Sequence, residues 1–145
     1  MTTNILRYGV VAVIERDERF LTITRSKAVV APGKVCFPGG GIEPNETPSE
    51  ALVRECFEEL GLRVRPLKQI DESITPWNVH LRWWTAEIDA DAVPVPNPKE
   101  VAAVQWLTLD ELLFHPDMLE SNRPFLEKRN ETQRQSAPGI SCRFQ

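Results

Sequence analysis

Glu46, Glu55, Glu58 and Glu59 crowd into one short window between Gly40 and Leu62, with a single arginine, Arg54, among them. Carboxylates packed together repel one another and raise each other's pKa, and a cation that neutralises them relieves the strain. Oxygen donors of this kind suit a hard divalent ion, and such an ion suits phosphate chemistry. The competing reading is a solvated helix face. Such faces interleave lysine or arginine at spacings of three or four, and here the relief is thin: Arg63 lies four residues past Glu59, beyond the expected helix end. On the residues alone the two readings stand level.

The element that must carry these acids is a helix. Thr47-Pro48-Ser49-Glu50 has the form of a capping box, with proline at the first helical position, where a missing amide is harmless. Gly61 is the residue a left-handed helix stop prefers, so the expected span is Pro48 to Leu60. At about 100° per residue, Glu55, Glu58 and Glu59 share one stripe with Ala51. Val53, Cys56, Phe57 and Leu60 form the opposite stripe, expected to be buried, with Leu52 at its edge. Arg54 sits on the flank, within reach of Glu46 or Glu50. Phe37 to Thr47 reads as a strand end, then three glycines, then an acidic loop. Glycines let a backbone approach a ligand closely, but the lysine and hydroxyl of a P-loop are missing.

The arrangement Gly40, Glu46, Arg54-Glu55, Cys56, Glu58-Glu59, Gly61 and Leu62 resembles, position for position, the signature of the Nudix hydrolases. Cys56 fills an apolar position where a larger aliphatic is common, and Asn45 stands where glycine often does. The pattern of the family extends over about residues 5 to 128, with a strand before the signature and a tryptophan-bearing strand after it. The resemblance implies an α/β/α sandwich with a mixed sheet. It implies hydrolysis of a nucleoside diphosphate linked to another group, by water attack at phosphorus. Glu55, Glu58 and Glu59 would ligate Mg²⁺, with Mn²⁺ as a substitute, aided by the backbone carbonyl of Gly40. Glu46 and Arg54 would form a supporting ion pair. Glu55 or Glu100 would serve as general base, with Glu43 and Glu72 as weaker candidates; a solvent-facing carboxylate beside Lys99 is the plain alternative for Glu100.

For substrate, Trp77 and Trp83 offer aromatic faces for a base. Trp83 and Trp84 must point to opposite faces of their strand. Arg25 and Lys34 are the candidate phosphate contacts. A nucleoside triphosphate or dinucleoside polyphosphate suits the short chain best, and an ADP-ribose or coenzyme A pyrophosphatase is the alternative. Two further classes stay open: a catalytically silent nucleotide sensor, and a protein whose cation is only structural.

The rest of the chain is consistent with one domain. Its 145 residues, 41% hydrophobic and 26% charged, suffice for a sizeable core. The expected division is a domain over 1–128 and a polar tail over 129–145. No segment has the length of a membrane span or the layout of a signal peptide, which makes cytoplasmic residence the default and membrane association unexpected. Cys36, Cys56 and Cys142 are an odd number without metal-type spacing and are read as free thiols. A net charge of −4 offers no basic patch for duplex nucleic acid; the partner expected is a small nucleotide, and a homodimer is left open. Strands are expected over Tyr8–Glu15 and Arg19–Thr24 as a hairpin, then Val35–Phe37, Leu62–Ile74, His80–Ile88 and Val101–Leu107. Helices are expected after Thr108 and from Ser121 or Asn122 to Lys128.

Overall fold

The computed structural model describes residues 6–136. Eight strands, β1 (Arg7–Val13), β2 (Glu15–Arg16), β3 (Arg19–Arg25), β4 (Val35–Cys36), β5 (Gly39–Gly41), β6 (Arg65–Ile74), β7 (Val79–Glu87) and β8 (Val101–Leu107), form two sheets. Three helices, α1 (Pro48–Leu60), α2 (Leu109–Leu113) and α3 (Arg123–Ser136), accompany them, with a 3₁₀ turn at Glu120–Asn122. The first sheet is mixed, in the order β5-β1-β7-β6. Its centre is the parallel pair β1 and β7, in register from Arg7↔Val79 to Val13↔Thr85. In the second, β3 takes β2, β4 and β8 as antiparallel partners.

The alternation of β1 makes the layers. Val10 and Ala12 face one side and join Leu52, Cys56 and Leu60 of α1. Val11 and Val13 face the other and join Trp83, Phe125 and Leu126, the last two from α3. A strand buried on both faces reads as a continuous apolar run, and Val10-Val11-Ala12-Val13-Ile14 is one. The mixed sheet between helices is the expected α/β/α arrangement.

Several expectations need correction. The hairpin exists, but only Glu15 and Arg16 pair with β3; after Val13 the chain leaves the first sheet for the second. Its turn holds Asp17 and Glu18 at φ of 52° and 62°, the left-handed pair that tight hairpins require. The three glycines, expected to follow a strand that ends at Phe37, themselves form β5, antiparallel to β1 with Gly40 opposite Val10. The last helix does not stop at Lys128 but runs through to Ser136, so the expected tail begins inside it. Glutamate, lysine and arginine all favour helix, and a polar run after an anchored turn extends it. Cys142 and the rest of 137–145 lie outside the described residues. Cys36 and Cys56 are free and buried. Among the described residues, no helix is long and apolar enough to cross a membrane.

Candidate functional site

The α1 capping box forms as expected. The Thr47 hydroxyl accepts from the Glu50 amide at 3.2 Å, and the Glu50 carboxylate accepts from the Thr47 amide at 2.9 Å. Gly61 closes the helix at φ 63°. The buried stripe, however, differs from the one the apolar pattern suggested. Ala51, Leu52, Cys56, Glu59 and Leu60 are buried, while Val53 is 40% and Phe57 50% exposed. The exposed Phe57 ring lies under the Arg63 guanidinium, 5.1 Å from its centroid, in a cation–π contact. Counting glutamate as a solvent-seeking residue hid this: the sheet-facing stripe includes an acid at its centre.

The four acids consequently occupy different surroundings. Glu59 is only 7% exposed, and its Oε1 accepts from the Gly39 amide at 3.0 Å. Burial pushes its pKa up to about 8, against the lowering effect of that amide. Glu55 is also raised by burial, opposed by the Arg54 guanidinium that donates to it at 3.0 Å. Glu58 is half-exposed and accepts from Arg54 at 3.1 Å. Glu46 takes Arg54 in a two-point grip, Nε to Oε2 at 2.7 Å and an Nη2 contact to Oε1 at 3.0 Å. This pairing, helped by the Glu43 amide, holds the Glu46 carboxyl down at about 2. Arg54 also donates to the Gly41 carbonyl at 2.8 Å, so one guanidinium ties α1 to β5 and to the acidic loop. Asn45, at φ 67°, supplies that loop's left-handed residue.

The glycines allow these approaches. A β-carbon at Gly40 would overlap the Glu55 carboxyl, and one at Gly39 would overlap the Val10 carbonyl. Glu100 joins the group from the chain before β8. Its Oε2 is buried without a hydrogen-bond partner, and its charge adds to the repulsion on both Glu55 and Glu59. Arg25, at the end of β3, acts on Glu59 from the other side, lowering its pKa. The Arg25 Nε donates to the Val30 carbonyl at 2.6 Å, and its guanidinium lies 3.8 Å from the Cys36 sulfur. Burial pushes that thiol up to about 11, so Cys36 serves as an apolar wall rather than a nucleophile.

Whether a divalent cation fits follows from these donors. Among the described residues no three acidic, imidazole or thiol groups are gathered closely enough to hold an ion as they stand. Arg54 engages Glu55 and Glu58, and Glu59 is engaged by Gly39. The donors are nevertheless hard oxygens, two of them on half-buried or buried side chains. A third belongs to the unpartnered Glu100 oxygen, which an apolar site would not tolerate without cost. The set suits Mg²⁺ or Mn²⁺ by donor type.

Other expected site residues lie elsewhere. Trp83 is fully buried and is a core residue, not a base platform: it stacks on Phe125 at 4.5 Å and donates to the Ser73 hydroxyl at 3.0 Å. Trp84 packs against the α1-side core. Trp77 is half-exposed on the β6–β7 turn, at the Arg7 end of β1 rather than opposite Gly40. Lys34 is exposed just before β4. Glu43 is exposed and meets Arg54 at 3.6 Å. Glu72 pairs with His80 at 2.9 Å on the edge of the first sheet. Asn122 is offered by the sequence only as an alternative to Ser121 for a helix start. It is 3% exposed, and its Oδ1 accepts from the Phe37 amide at 3.1 Å, tying the entry of α3 to the chain that leads into β5. A lone asparagine before Arg-Pro carries no sequence signal for that role.

The family profile described as NUDIX domain matches residues 5–128 of this chain. The CTP pyrophosphohydrolase of Escherichia coli (strain K12) is 31% identical over 121 residues, which cover 81% of this chain and 87% of that protein. Nudix hydrolase 3 of Caenorhabditis elegans is 32% identical over 114 residues, 71% of this chain but only 46% of that longer protein. The crystal structure of a MutT protein from Methanosarcina mazei Go1 superimposes with a TM-score of 0.78 at 21% identity, covering 92% of this chain and 99% of that one, a likeness of fold.

Proposed function

Because this chain belongs to the Nudix hydrolase family, we propose that it is a divalent-metal-dependent pyrophosphohydrolase acting on a nucleoside diphosphate linked to another group. Nucleoside triphosphates and dinucleoside polyphosphates come first among its substrates. The observation that carries this reading is the burial of Glu55 and Glu59 within the repulsion of Glu100, the first two with carboxyls raised by burial and the third with an unpartnered oxygen. A merely solvated helix face would leave its acids in water. Similarity along most of its length to an enzyme named for CTP supports the choice of substrate class.

Glu55, Glu58, Glu59 and the Gly40 carbonyl would hold Mg²⁺, or Mn²⁺ in its place. When bound, the ion supplies charge neutralisation on the pyrophosphate and a more acidic water. Glu55 and Glu100 are the groups available to accept the proton of an attacking water, because Glu100 keeps an unpartnered oxygen and Glu55 gives only Oε1 to Arg54. Glu59 keeps its orientation through the Gly39 amide. Arg25, beside Glu59, is the cation available to a substrate phosphate, with Lys34 farther out on the surface. Trp77 is the one proposed aromatic contact whose ring is exposed. The partner is thus a small nucleotide.

The test is product release from nucleoside triphosphates, dinucleoside polyphosphates, ADP-ribose, NADH and coenzyme A, with Mg²⁺, with Mn²⁺ and with chelator, for wild type and Glu58→Gln. Metal-dependent cleavage lost in the variant, with an unchanged melting temperature, is the expected result. A variant that loses melting temperature and nothing else would point to a structural cation, and absence of cleavage across the panel would leave a silent sensor.

A further inference from the structure

Ser26 follows β3 and is 5% exposed, a polar residue for which the cluster itself gives no use. Its amide donates to the Glu100 carbonyl at 2.9 Å. Its hydroxyl donates to the Lys99 carbonyl at 2.8 Å and accepts from the Ala28 amide at 3.2 Å. A hydroxyl has one proton to give, and this one is spent on the backbone beside Glu100.

The same loop is fastened from its opposite side. The last carbonyls of a helix have no partner within it. In α1 they are taken up by the incoming chain: the Val95 amide donates to the Leu60 carbonyl at 2.7 Å and the Asn97 amide to the Glu59 carbonyl at 2.8 Å. The Asn97 side chain adds a contact to the Glu58 carbonyl at 3.4 Å, and its Oδ1 accepts from the Lys99 amide at 3.1 Å. The Asn97 carbonyl then accepts from the amides of Glu100 and Val101, at 3.0 and 2.8 Å. The backbone of Glu100 is therefore clamped between the end of β3 and the last turn of α1. Its side chain takes no part in the clamp, since Oε2 is buried and unbonded. All this structure fixes a carboxylate that contributes nothing to holding itself.

We infer that Ser26, with Asn97 opposite it, is the positioning residue that sets Glu100 against Glu55 and Glu59. The inference rests on the reading of Glu100 as a carboxylate of the cation site. Groups that orient a ligand in this way change metal affinity or activity by about 10–100-fold when removed.

Wild type, Ser26→Ala, Glu100→Gln and the double variant would be compared for Mn²⁺ affinity, from the free-ion electron paramagnetic resonance signal, for turnover and for melting temperature. Each single change should weaken Mn²⁺ binding about tenfold, and the double variant should be no weaker than Glu100→Gln alone. Wild-type Mn²⁺ affinity and turnover in Glu100→Gln would overturn the reading of Glu100 and the inference with it. A deficit in Glu100→Gln that Ser26→Ala does not share, or that multiplies in the double variant, would overturn the inference alone. A purely structural serine would lower melting temperature and leave Mn²⁺ affinity unmoved. Should Ser26→Ala fail to fold, Asn97→Ala enters the same cycle with the same expected and overturning results.

Discussion

Gly40 and Glu55 occupy the same space as far as any larger side chain is concerned, because a β-carbon at residue 40 would overlap the Glu55 carboxyl. Gly40→Ala should therefore displace Glu55 without exposing any core, and a displacement near 1 Å at a reacting group costs about 10²-fold in rate. The expected outcome is turnover lost to that extent with a melting temperature close to wild type; equal turnover would show that Glu55 does not depend on this contact. Glu46 makes a different prediction. Its folded pKa, about 2, lies below the ordinary 4.5 because Arg54 donates to it. Stability from this pair is complete above about 4.5 and is lost as pH falls towards 2. Glu46→Gln, which lacks that titration, should show a shallower decline in melting temperature over this window, and parallel curves for the two proteins would contradict the assignment. At this scale the sequence was informative where spacing carries chemistry. The grouping of Glu46, Arg54, Glu55, Glu58 and Glu59 could be read from intervals and from the family resemblance those intervals carry. Ser26, Asn97 and Asn122 could not, since each acts on backbone atoms brought near only by folding.

Elements were legible wherever a local rule decides them. The capping boxes at Thr47 and Thr108 both form, each with its pair of reciprocal bonds. The rule failed where tertiary packing overrides it. Gly39 to Gly41 have no strand propensity, yet they pair with β1, where a β-carbon at residue 39 or 40 would overlap the Val10 carbonyl or the Glu55 carboxyl. On α1, Phe57 and Val53 gave up burial to Glu59 and Ala51. Trp83 was misread for a related reason: its strand is covered on both faces, so neither of the adjacent tryptophans had to reach a ligand. It joins β7 to α3 through Phe125. Trp83→Ala should cost about 3–5 kcal/mol, whereas Trp77→Ala on the exposed turn should stay within about 0.5 kcal/mol. Chemical denaturation of the two variants checks this, and similar losses for both would mean that the two tryptophans share one environment.

The whole molecule is a shared wall with a use for each side. One face of the mixed sheet carries α1 and the acids, the other carries the aromatic cluster under α3. The chain connecting β7 to β8 crosses the end of α1 on its way to Glu100, and that crossing sets a limit on the length of the chain. Upstream of Val95 the connection is held by Ile88 and Ala92, packed against the core, and at its surface by Arg16 to the Asp89 and Ala92 carbonyls and by Arg65 to Asp89. From Val95 to Glu100 the chain is tied at alternate points, Val95 and Asn97 to α1 and then Lys99 and Glu100 to Ser26. Doubling a surface loop costs only about 0.6 kcal/mol in closure entropy. Two glycines added between Val93 and Pro94 should therefore leave melting temperature and turnover nearly intact, while the same two added between Pro98 and Lys99 should abolish turnover in a folded protein; equal tolerance at both places would deny the crossing any fixed measure. Length variation is then expected to be tolerated on the first half of the connection and not on the second, with the six residues that end at Glu100 acting as a ruler for where that carboxylate comes to rest.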